Sequence, residues 1–404
     1  MELESAIKDN LKYQKKYKKE RYTKPVLFNL IESFIISNQL VCYGGMAINA
    51  YLPSEKQFYD ETDIPDYDCF SPNPIKDVIE LSNILANNKM ENVEVKSAMF
   101  PGTYKIFVNF IPIVDITTLD PDVFYNIHKK SIKINNILYA PPNYLRISLY
   151  QELSRPFGDI SRWGKIYNRL ELLNQTHPLF IQNCSISEKD VPETDEYTKM
   201  NKNIINTIKK NNWVTFGDFG LDFYLPYFPK KYQTMERTIH TPFILVDSFE
   251  DVKLKLKFKY TIEYFSYHFV NSFYQISYKG NPVLYIFITN SCQSYNEIKG
   301  FRVATIDTIL SIYYALSFVE AKFIDNHKIL SYCYLLHNIN SKEGVTRRFH
   351  MPCIGNQQTV EDIRKERDVK FRIYKKTKSK KLYNQYFFQY KPHIKFNKTK
   401  HKKY

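Results

Sequence analysis

The residues of this sequence that could do chemistry are three aspartates in its first third. Asp66 and Asp68 are two positions apart, and Asp115 follows within an apolar run. On a strand, positions i and i+2 face the same side, so the carboxylates of Asp66 and Asp68 would project together. An unpaired Asp115 would be costly to bury, so it requires a metal ion or a base as its partner. We therefore expect the three carboxylates to form one oxygen-rich site.

An oxygen-rich site of this kind favours a hard divalent cation such as Mg²⁺ or Mn²⁺, held by carboxylates together with substrate phosphates. Gly44 and Gly45 stand at a predicted strand-to-helix turn, where the backbone can approach a triphosphate closely and present free N–H groups to it. Taken alone, Asp-x-Asp is more often surface charge, and Gly-Gly is a weak turn signal. In this order and spacing, they predict a metal-dependent nucleotide site.

The elements that must position these residues follow from the hydrophobic pattern. Residues 25–40 have the spacing of an amphipathic helix, and the short strand Val41–Tyr43 leads into the two glycines and a helix that ends near Pro53. Further strands and helices are expected, in chain order, at about 67–70 (strand), about 74–87 (helix), 93–98, 104–110 and 113–117 (strands), and from 141–142 and at 160–173 (helices). The predicted fold class is α+β, with a mixed sheet flanked by helices.

The sequence also repeats itself. Val41–Pro53 aligns without gaps on Val214–Pro226, and further along the chain Ser148–Ser154 matches Ser311–Ser317. Two matches in the same order predict two tandem domains of the same kind.

The second copy lacks the chemistry of the first. Asp218 stands where the first copy has Gly45, and neither 238–246 nor 284–290 contains an aspartate or a glutamate. We therefore expect a degenerate, catalytically inactive copy. The predicted domains are a catalytic domain at 1–182, a polar linker at 183–198, the degenerate domain at 199–345 and a basic, aromatic C-terminal extension at 346–404.

The net charge of +15 is concentrated at the C-terminus. Residues 369–404 contain 13 of the 57 Lys and Arg residues, no Asp or Glu, and nine aromatic residues. Cations that neutralise phosphates and rings that stack on bases suit single-stranded nucleic acid, so this tail is predicted to hold RNA. The alternatives are a solvated, disordered tail and a final strand or helix docked on the body.

Several classes of protein are excluded by composition. No apolar stretch reaches the ~20 residues of a membrane span, and Met1–Asn10 has no secretory h-region. The six cysteines are scattered and contain no CxxC, which argues against a zinc module or a disulfide framework and favours a reducing compartment.

Three segments carry a resemblance to a known family. They are Tyr-Gly-Gly-Met-Ala-Ile-Asn at 43–49, Asp-Tyr-Asp-Cys-Phe-Ser-Pro at 66–72, and Ser-Arg-Pro followed by Arg-Trp-Gly-Lys-Ile-Tyr-Asn-Arg-Leu between 154 and 170. Over about residues 41–173, the chain resembles the catalytic poly(A) polymerases of poxviruses and giant DNA viruses, within the polymerase-β-like nucleotidyltransferase superfamily.

The resemblance implies roles for individual residues. Asp66, Asp68 and Asp115 would hold two divalent cations, Mg²⁺ or Mn²⁺, while Gly44 and Gly45 would contact the substrate ATP. Two basic residues are candidates for phosphate contacts, although a solvated helix face is the alternative for each: Arg162 and Lys165.

The implied activity is transfer of AMP from ATP to RNA 3′ ends with release of pyrophosphate. A homodimer or a processivity partner is expected, with a location in the host cytoplasm, in the viral factory, or in the virion, and no membrane association. The alternatives are a nucleotidyltransferase for another acceptor (tRNA, a protein or a small molecule), a non-catalytic RNA-binding subunit, and a structural virion protein.

Overall fold

The computed structural model describes residues 2–22, 25–59, 66–181, 184, 194–233, 241–267, 269–289, 291–319, 325–340 and 351–393. The chain divides into two compact units, Met1–Pro141 together with Thr359–Tyr404, and Pro142–Gln358. Each unit is built around a mixed sheet with helices, which confirms the predicted α+β fold class.

The first unit is formed by the two ends of the chain. In chain order, its helices and strands are α1 (Glu2–Tyr22), α2 (Pro25–Ser37), β1 (Val41–Tyr43), α3 (Gly44–Tyr51), β2 (Tyr67–Ser71), α4 (Pro74–Asn87), β3 (Glu94–Ser97), β4 (Thr103–Val108), β5 (Ile111–Thr118), α5 (Pro121–Lys130), β6 (Ile132–Ile134) and β7 (Ile137–Tyr139).

The described strands of this unit form one sheet in the order β16-β3-β4-β5-β2-β1-β7-β6, where β16 comes from the C-terminal segment Gln389–Tyr390. β2 runs antiparallel to β1 and parallel to β5, so these three strands lie side by side near the centre. The helix predicted at 74–87 is α4, and its apolar positions Val78, Leu81 and Leu85 are fully buried.

The second unit and the C-terminal segment contain the remaining elements. They are α6 (Pro142–Leu153), α7 (Trp163–Thr176), α8 (Asp195–Lys210), β8 (Val214–Phe216), α9 (Gly217–Leu221), α10 (Lys230–Gln233), β9 (Pro242–Val246), α11 (Phe249–Lys253), β10 (Thr261–Tyr267), β11 (Val270–Tyr278), β12 (Asn281–Ile288), β13 (Gln293–Ile298), β14 (Phe301–Ala304), α12 (Ile306–Leu316), α13 (Asn326–Asn340), β15 (Cys353–Ile354), α14 (Val360–Thr377), α15 (Lys380–Leu382) and β16.

The second sheet repeats the topology of the first. Its described strands follow the order β10-β11-β12-β9-β8-β14-β13-β15, so β8 to β14 occupy the places of β1 to β7. The directions agree as well, because β8 is antiparallel to β9, β9 is parallel to β12, and β8 is parallel to β14. This agreement over seven strands supports the duplication inferred from the aligned segments that contain β1 and β8.

The compact units differ from the predicted domain boundaries. The first unit ends at Pro141 rather than at residue 182, because α6 packs against α12 of the second unit, a contact that local sequence does not reveal. α8 begins at Asp195, inside the predicted linker 183–198, whose other residues lie outside the described part except 184 and 194.

The C-terminal extension predicted at 346–404 is partly built into the first unit. β16 pairs antiparallel with β3, and Tyr386 and Phe388 are buried. Arg367 of α14 donates to the carbonyl oxygens of Ala98 (2.6 Å) and Tyr386 (2.6 Å). Of the alternatives left open for the basic tail, the docked strand and helix are found over 360–390.

One disulfide corrects the expectation drawn from the scattered cysteines. Cys292 and Cys353 are 61 residues apart in sequence, yet they are bonded because β15 pairs with β13, which places their Cα atoms 5.3 Å apart. Cys42 and Cys69 are buried thiols with their sulfur atoms 3.3 Å apart. No helix among the described residues is long and apolar enough to cross a lipid bilayer.

Candidate active site

The glycine pair lies where the sequence predicted it, at the turn from β1 into α3. Gly44 has φ +71°, a left-handed conformation that disfavours residues with a Cβ atom. A Cβ atom at Gly44 would also overlap the carboxylate oxygen Oδ2 of Asp68. Gly44 and Gly45 form the first turn of α3, whose N–H groups have no acceptor within the helix and can therefore bind an anion.

The carboxylates are brought together by strand pairing. Asp68 on β2 is opposite Asp115 on the parallel strand β5, and it is also opposite Tyr43, the last residue of β1. Directly paired residues point to the same face of a sheet. Asp66 immediately precedes β2 and lies two positions before Asp68. The three predicted aspartates are therefore neighbours beside the glycine turn.

The electrostatics show that this site is crowded with negative charge. Burial raises the pKa of Asp66, and the charge of Asp115 raises it further, while Lys105 acts in the opposite direction. Burial also raises the pKa of Asp115, against the hydrogen bond and the charge of Lys105. Ionised carboxylates that are held this close need additional positive charge.

Lys105 was missed by the reasoning from sequence. It lies on β4 opposite Asp115, and its ammonium group forms an ion pair with Asp115 Oδ2. The sequence does alternate Thr103, Lys105 and Phe107 with Tyr104, Ile106 and Val108, so Lys105 could be assigned to the opposite face of β4 from those three residues. Its pairing with Asp115 comes from the strand register.

The donor set fits a divalent cation that is completed by its substrate. Asp115 is 8% exposed, and its Oδ1 atom is buried without a hydrogen-bond partner among the residues that the structure describes. Within this described part, no group of three His, Cys, Asp or Glu side chains is placed so that it could hold a metal ion by itself. Mg²⁺ sites that act on nucleotides use one or two carboxylates plus phosphate oxygens, so a closed protein cage is not required.

The hydroxyl groups beside the carboxylates fix the position of β1. Tyr43 OH and Thr117 Oγ1 are 2.9 Å apart, and the Tyr43 ring stacks on Phe70 with a centroid distance of 3.8 Å. Thr103 Oγ1 lies 3.0 Å from Thr117 Oγ1. These contacts join β1, β2, β4 and β5 on the carboxylate face and hold the glycine turn in place.

The same positions of the second sheet hold no carboxylate. Phe243 is opposite Phe216 and Tyr285, as Asp68 is opposite Tyr43 and Asp115. Gly217, with φ +72°, repeats the conformation of Gly44, and a Cβ atom there would meet the Phe243 ring at 2.7 Å. The strand pairing thus supports the prediction that the second copy is degenerate.

The two predicted basic residues belong to the second unit. Arg162 is half-exposed, with Nη2 3.4 Å from Glu152 Oε1, and Lys165 is an exposed residue in the first turn of α7. The structure places both on a solvated surface, and their contact with phosphate stays a prediction.

The glycine turn after β1 and the carboxylates on β2 and β5 lie where the sequence pattern predicted a nucleotide site. Residues 29–159 match the family model described as "Poly(A) polymerase catalytic subunit". This match contains Gly44, Gly45 and the three aspartates, and it confirms the predicted resemblance over that segment.

Curated relatives that carry the name of a poly(A) polymerase catalytic subunit come from two kinds of virus. The protein of Acanthamoeba polyphaga mimivirus is 33% identical over 162 residues, which are 39% of this chain and 27% of the relative. The protein of African swine fever virus (strain Badajoz 1971 Vero-adapted) is 29% identical over 157 residues, 37% of this chain and 33% of the relative. The match thus spans about a third or less of these relatives' length.

The fold as a whole has a solved counterpart. The crystal structure of the Megavirus polyadenylate synthase superposes with a TM-score of 0.79, and the match covers 97% of this chain and 84% of that one at 21% identity. The similarity in fold therefore extends well beyond residues 29–159, through both sheets.

Proposed function

We propose that this chain is a template-independent polynucleotide adenylyltransferase that adds AMP from ATP to RNA 3′ ends. The observation that carries the proposal is the pairing of Asp68 with Asp115 on adjacent parallel strands beside the Gly44 turn. The family match over this segment supports the choice of adenylyl transfer.

Each part of the site has a task in this reaction. The 3′ hydroxyl oxygen of the RNA attacks the α-phosphorus of ATP, the bond between the α-phosphate and the β-phosphate breaks, pyrophosphate leaves and the hydroxyl proton passes to solvent. The first turn of α3 binds the triphosphate through its N–H groups. Asp66 and Asp68 would hold a divalent cation on the triphosphate side, and Asp115 would hold one beside the acceptor hydroxyl. Mg²⁺ or Mn²⁺ there would supply activation of the nucleophile and neutralisation of the leaving group.

The decisive experiment is primer extension with a short RNA, each of the four NTPs, and Mg²⁺ or Mn²⁺. We expect long ladders with ATP alone, and loss of tailing in Asp66→Ala and Asp68→Ala with an unchanged circular dichroism spectrum. Asp122→Ala, an exposed aspartate of α5, is the matched control and should be fully active. Full activity of Asp68→Ala would overturn the proposal, and transfer to tRNA, a protein or a small molecule instead would replace the acceptor.

The relatives' name, a catalytic subunit, supports a further part of the proposal, that the chain works with a partner subunit such as a processivity factor. A homodimer is the alternative that we propose. We place this activity in the host cytoplasm, at the viral factory, or in the virion. Light scattering on the purified chain and imaging of infected cells test these two points.

A further inference from the structure

A single row of paired residues crosses the carboxylate face of the first sheet. Across β3, β4, β5, β2 and β1, the residues opposite one another are Lys96, Lys105, Asp115, Asp68 and Tyr43. Their side chains share one face because each is directly paired with the next. We call these five residues the central row. Its two carboxylates lie between Tyr43 and the two lysines, and the lysines lie towards the β3 edge.

The C-terminal segment extends the basic end of the central row. β16 places Gln389 opposite Lys96, and Lys391 follows two positions later. The exposed fraction of the lysine side chains rises with distance from the carboxylates, from 34% at Lys105 through 46% at Lys96 to 76% at Lys391. With neighbouring strands ~5 Å apart, Lys96 lies roughly 10 Å from Asp115.

Lys105 is paired with Asp115, but pairing within the protein does not balance both Lys96 and Lys391. Lys96 and Lys391 both contact Glu94, so two cations share one carboxylate. The Lys96 ammonium lies 5.4 Å from the centroid of the Phe107 ring, a cation–π contact that keeps it on the carboxylate face. The basic end of the row therefore has positive charge in excess of what Glu94 balances.

The second sheet shows that the same strand topology forms without Lys96 and Lys105. At the positions of Lys96, Lys105, Asp115, Asp68 and Tyr43, the second sheet has, in the same order, Glu263, Gln275, Tyr285, Phe243 and Phe216. The copy without the catalytic aspartates also has neither lysine. The lysines and the carboxylates thus occur together in one copy and are missing together from the other.

We propose that Lys105, Lys96 and Lys391 form a track for the phosphate backbone of the acceptor RNA, which leads from the β16 edge to the acceptor hydroxyl at Asp115. This inference rests on the proposed function and names where its acceptor binds. Single-stranded RNA carries one negative charge per nucleotide, so it complements ammonium groups that are placed along successive β-strands. Contacts to phosphate position the strand without reading its bases, so the track is independent of RNA sequence.

The test measures RNA binding by the intact chain. The readout is the fluorescence anisotropy of a short labelled single-stranded RNA, with EDTA present and ATP absent. The double variant Lys96→Gln/Lys391→Gln should bind roughly tenfold more weakly, with the slope of log affinity against log salt lowered by about 1.4. The loss should be equal for oligo(A), oligo(C) and oligo(U). Lys105 is left intact because it contacts Asp115.

Two control variants separate RNA binding from local stability. Lys129→Gln/Lys133→Gln removes the same charge from exposed positions of α5 and β6, at the other end of the sheet, and should bind RNA with no more than a small loss. Lys96→Arg/Lys391→Arg keeps the charge and should restore affinity. Equal losses in both Gln pairs, or unchanged affinity in Lys96→Gln/Lys391→Gln, would overturn the track. Because no ATP or metal is present, such a failure is distinct from an absence of tailing, which would overturn the proposed function instead.

Discussion

The two sheets of this protein have the same seven-strand topology and place opposite kinds of side chain at the same positions. Where the first sheet has Asp68 opposite Asp115, the second has Phe243 opposite Tyr285, with ring centroids 4.8 Å apart. The second sheet shows that rings can pack at these positions without any charge. The first sheet carries buried carboxylates whose pKa values are raised, so it retains ionised groups at a cost to stability. Residues kept at such a cost indicate function.

The largest effects are expected from a pair of equivalent substitutions, Asp68→Ala and Phe243→Ala. Asp68→Ala should lower tailing by on the order of 10³-fold, because it removes a group that stabilises transition-state charge, and it should leave stability nearly unchanged. Phe243→Ala should lower the free energy of unfolding by about 2 kcal/mol, because it removes the ring contacts that this partly buried residue makes with Phe216 and Phe287. Tailing rates and urea denaturation of both variants measure the two effects.

The two sheets do not have different roles if Phe243→Ala loses tailing or if Asp68→Ala mainly loses stability. Tailing by the folded Phe243→Ala protein should stay close to the wild-type rate when measured well below its denaturation midpoint. A loss of tailing as large as that of Asp68→Ala would mean that the second sheet takes part in the reaction.

The equivalent glycines should give the next largest effects. Gly44→Ala forces a Cβ atom into the position of the Asp68 carboxylate, so we expect tailing to fall on the order of 10²-fold as the carboxylate is displaced. Gly217→Ala meets the ring of Phe243, so we expect a loss of about 2 kcal/mol in stability with tailing retained. Tailing rates and thermal unfolding of Gly44→Ala and Gly217→Ala measure these two effects. Equal losses of tailing rate in the two variants would contradict the predicted difference between the glycines.

The sequence was sufficient for the parts of the site that follow from local pattern. Alternation around Tyr67 places Asp66 and Asp68 on one side, and the helix expected from about Pro74 to Asn87 is α4. The repeat at Val214 located the second copy, because a left-handed glycine after a short buried strand is required in both.

The parts that sequence could not supply depend on pairing between distant segments. Lys105 meets Asp115 through strand register, which no local pattern encodes. β16 reaches β3 from almost 300 residues away, so a tail that looked separate forms the edge of the first sheet. Cys292 and Cys353 became partners in the same way, through the pairing of β13 with β15.

The second unit should also be distinguished by its response to acid. Burial, together with the charge of Arg146, lowers the pKa of His337 to about 4, and its Nδ1 lies 3.2 Å from Tyr150 OH. An unfolded histidine has a pKa near 6.5, so between about pH 6.5 and 4 the unfolded chain binds a proton that the folded unit does not. The contribution of neutral His337 to the free energy of unfolding is therefore complete above pH 6.5 and is lost as the pH falls towards 4. The expected loss is about 2 kcal/mol after allowance for the partial exposure of the side chain.

Hydrogen exchange at strand amides of the two sheets measures this loss separately in each unit. His337→Gln should flatten the pH dependence of β8 and β9 and leave that of β1 and β2 unchanged. If the acid-dependent loss persists in His337→Gln, another group is responsible.

The smallest expected effect concerns the sheet edges, where the two copies differ again. The outer edge of β3 is paired with β16, whereas its counterpart β10 is the last described strand of the second sheet on that side. Tyr390 OH donates to Asn83 Oδ1 at 2.8 Å and so ties β16 to α4. Tyr390→Phe should cost about 1 kcal/mol, the worth of one hydrogen bond.

This cost should be confined to the first sheet, and hydrogen exchange is the measurement that can locate it. We expect faster exchange in β16 and β3, with β10 and β11 unchanged. Tyr125→Phe, at an exposed position of α5, is the control and should exchange like the wild type. Uniformly faster exchange in both sheets would show that the bond stabilises the whole chain, and that the role of β16 is not limited to covering the edge of the first sheet.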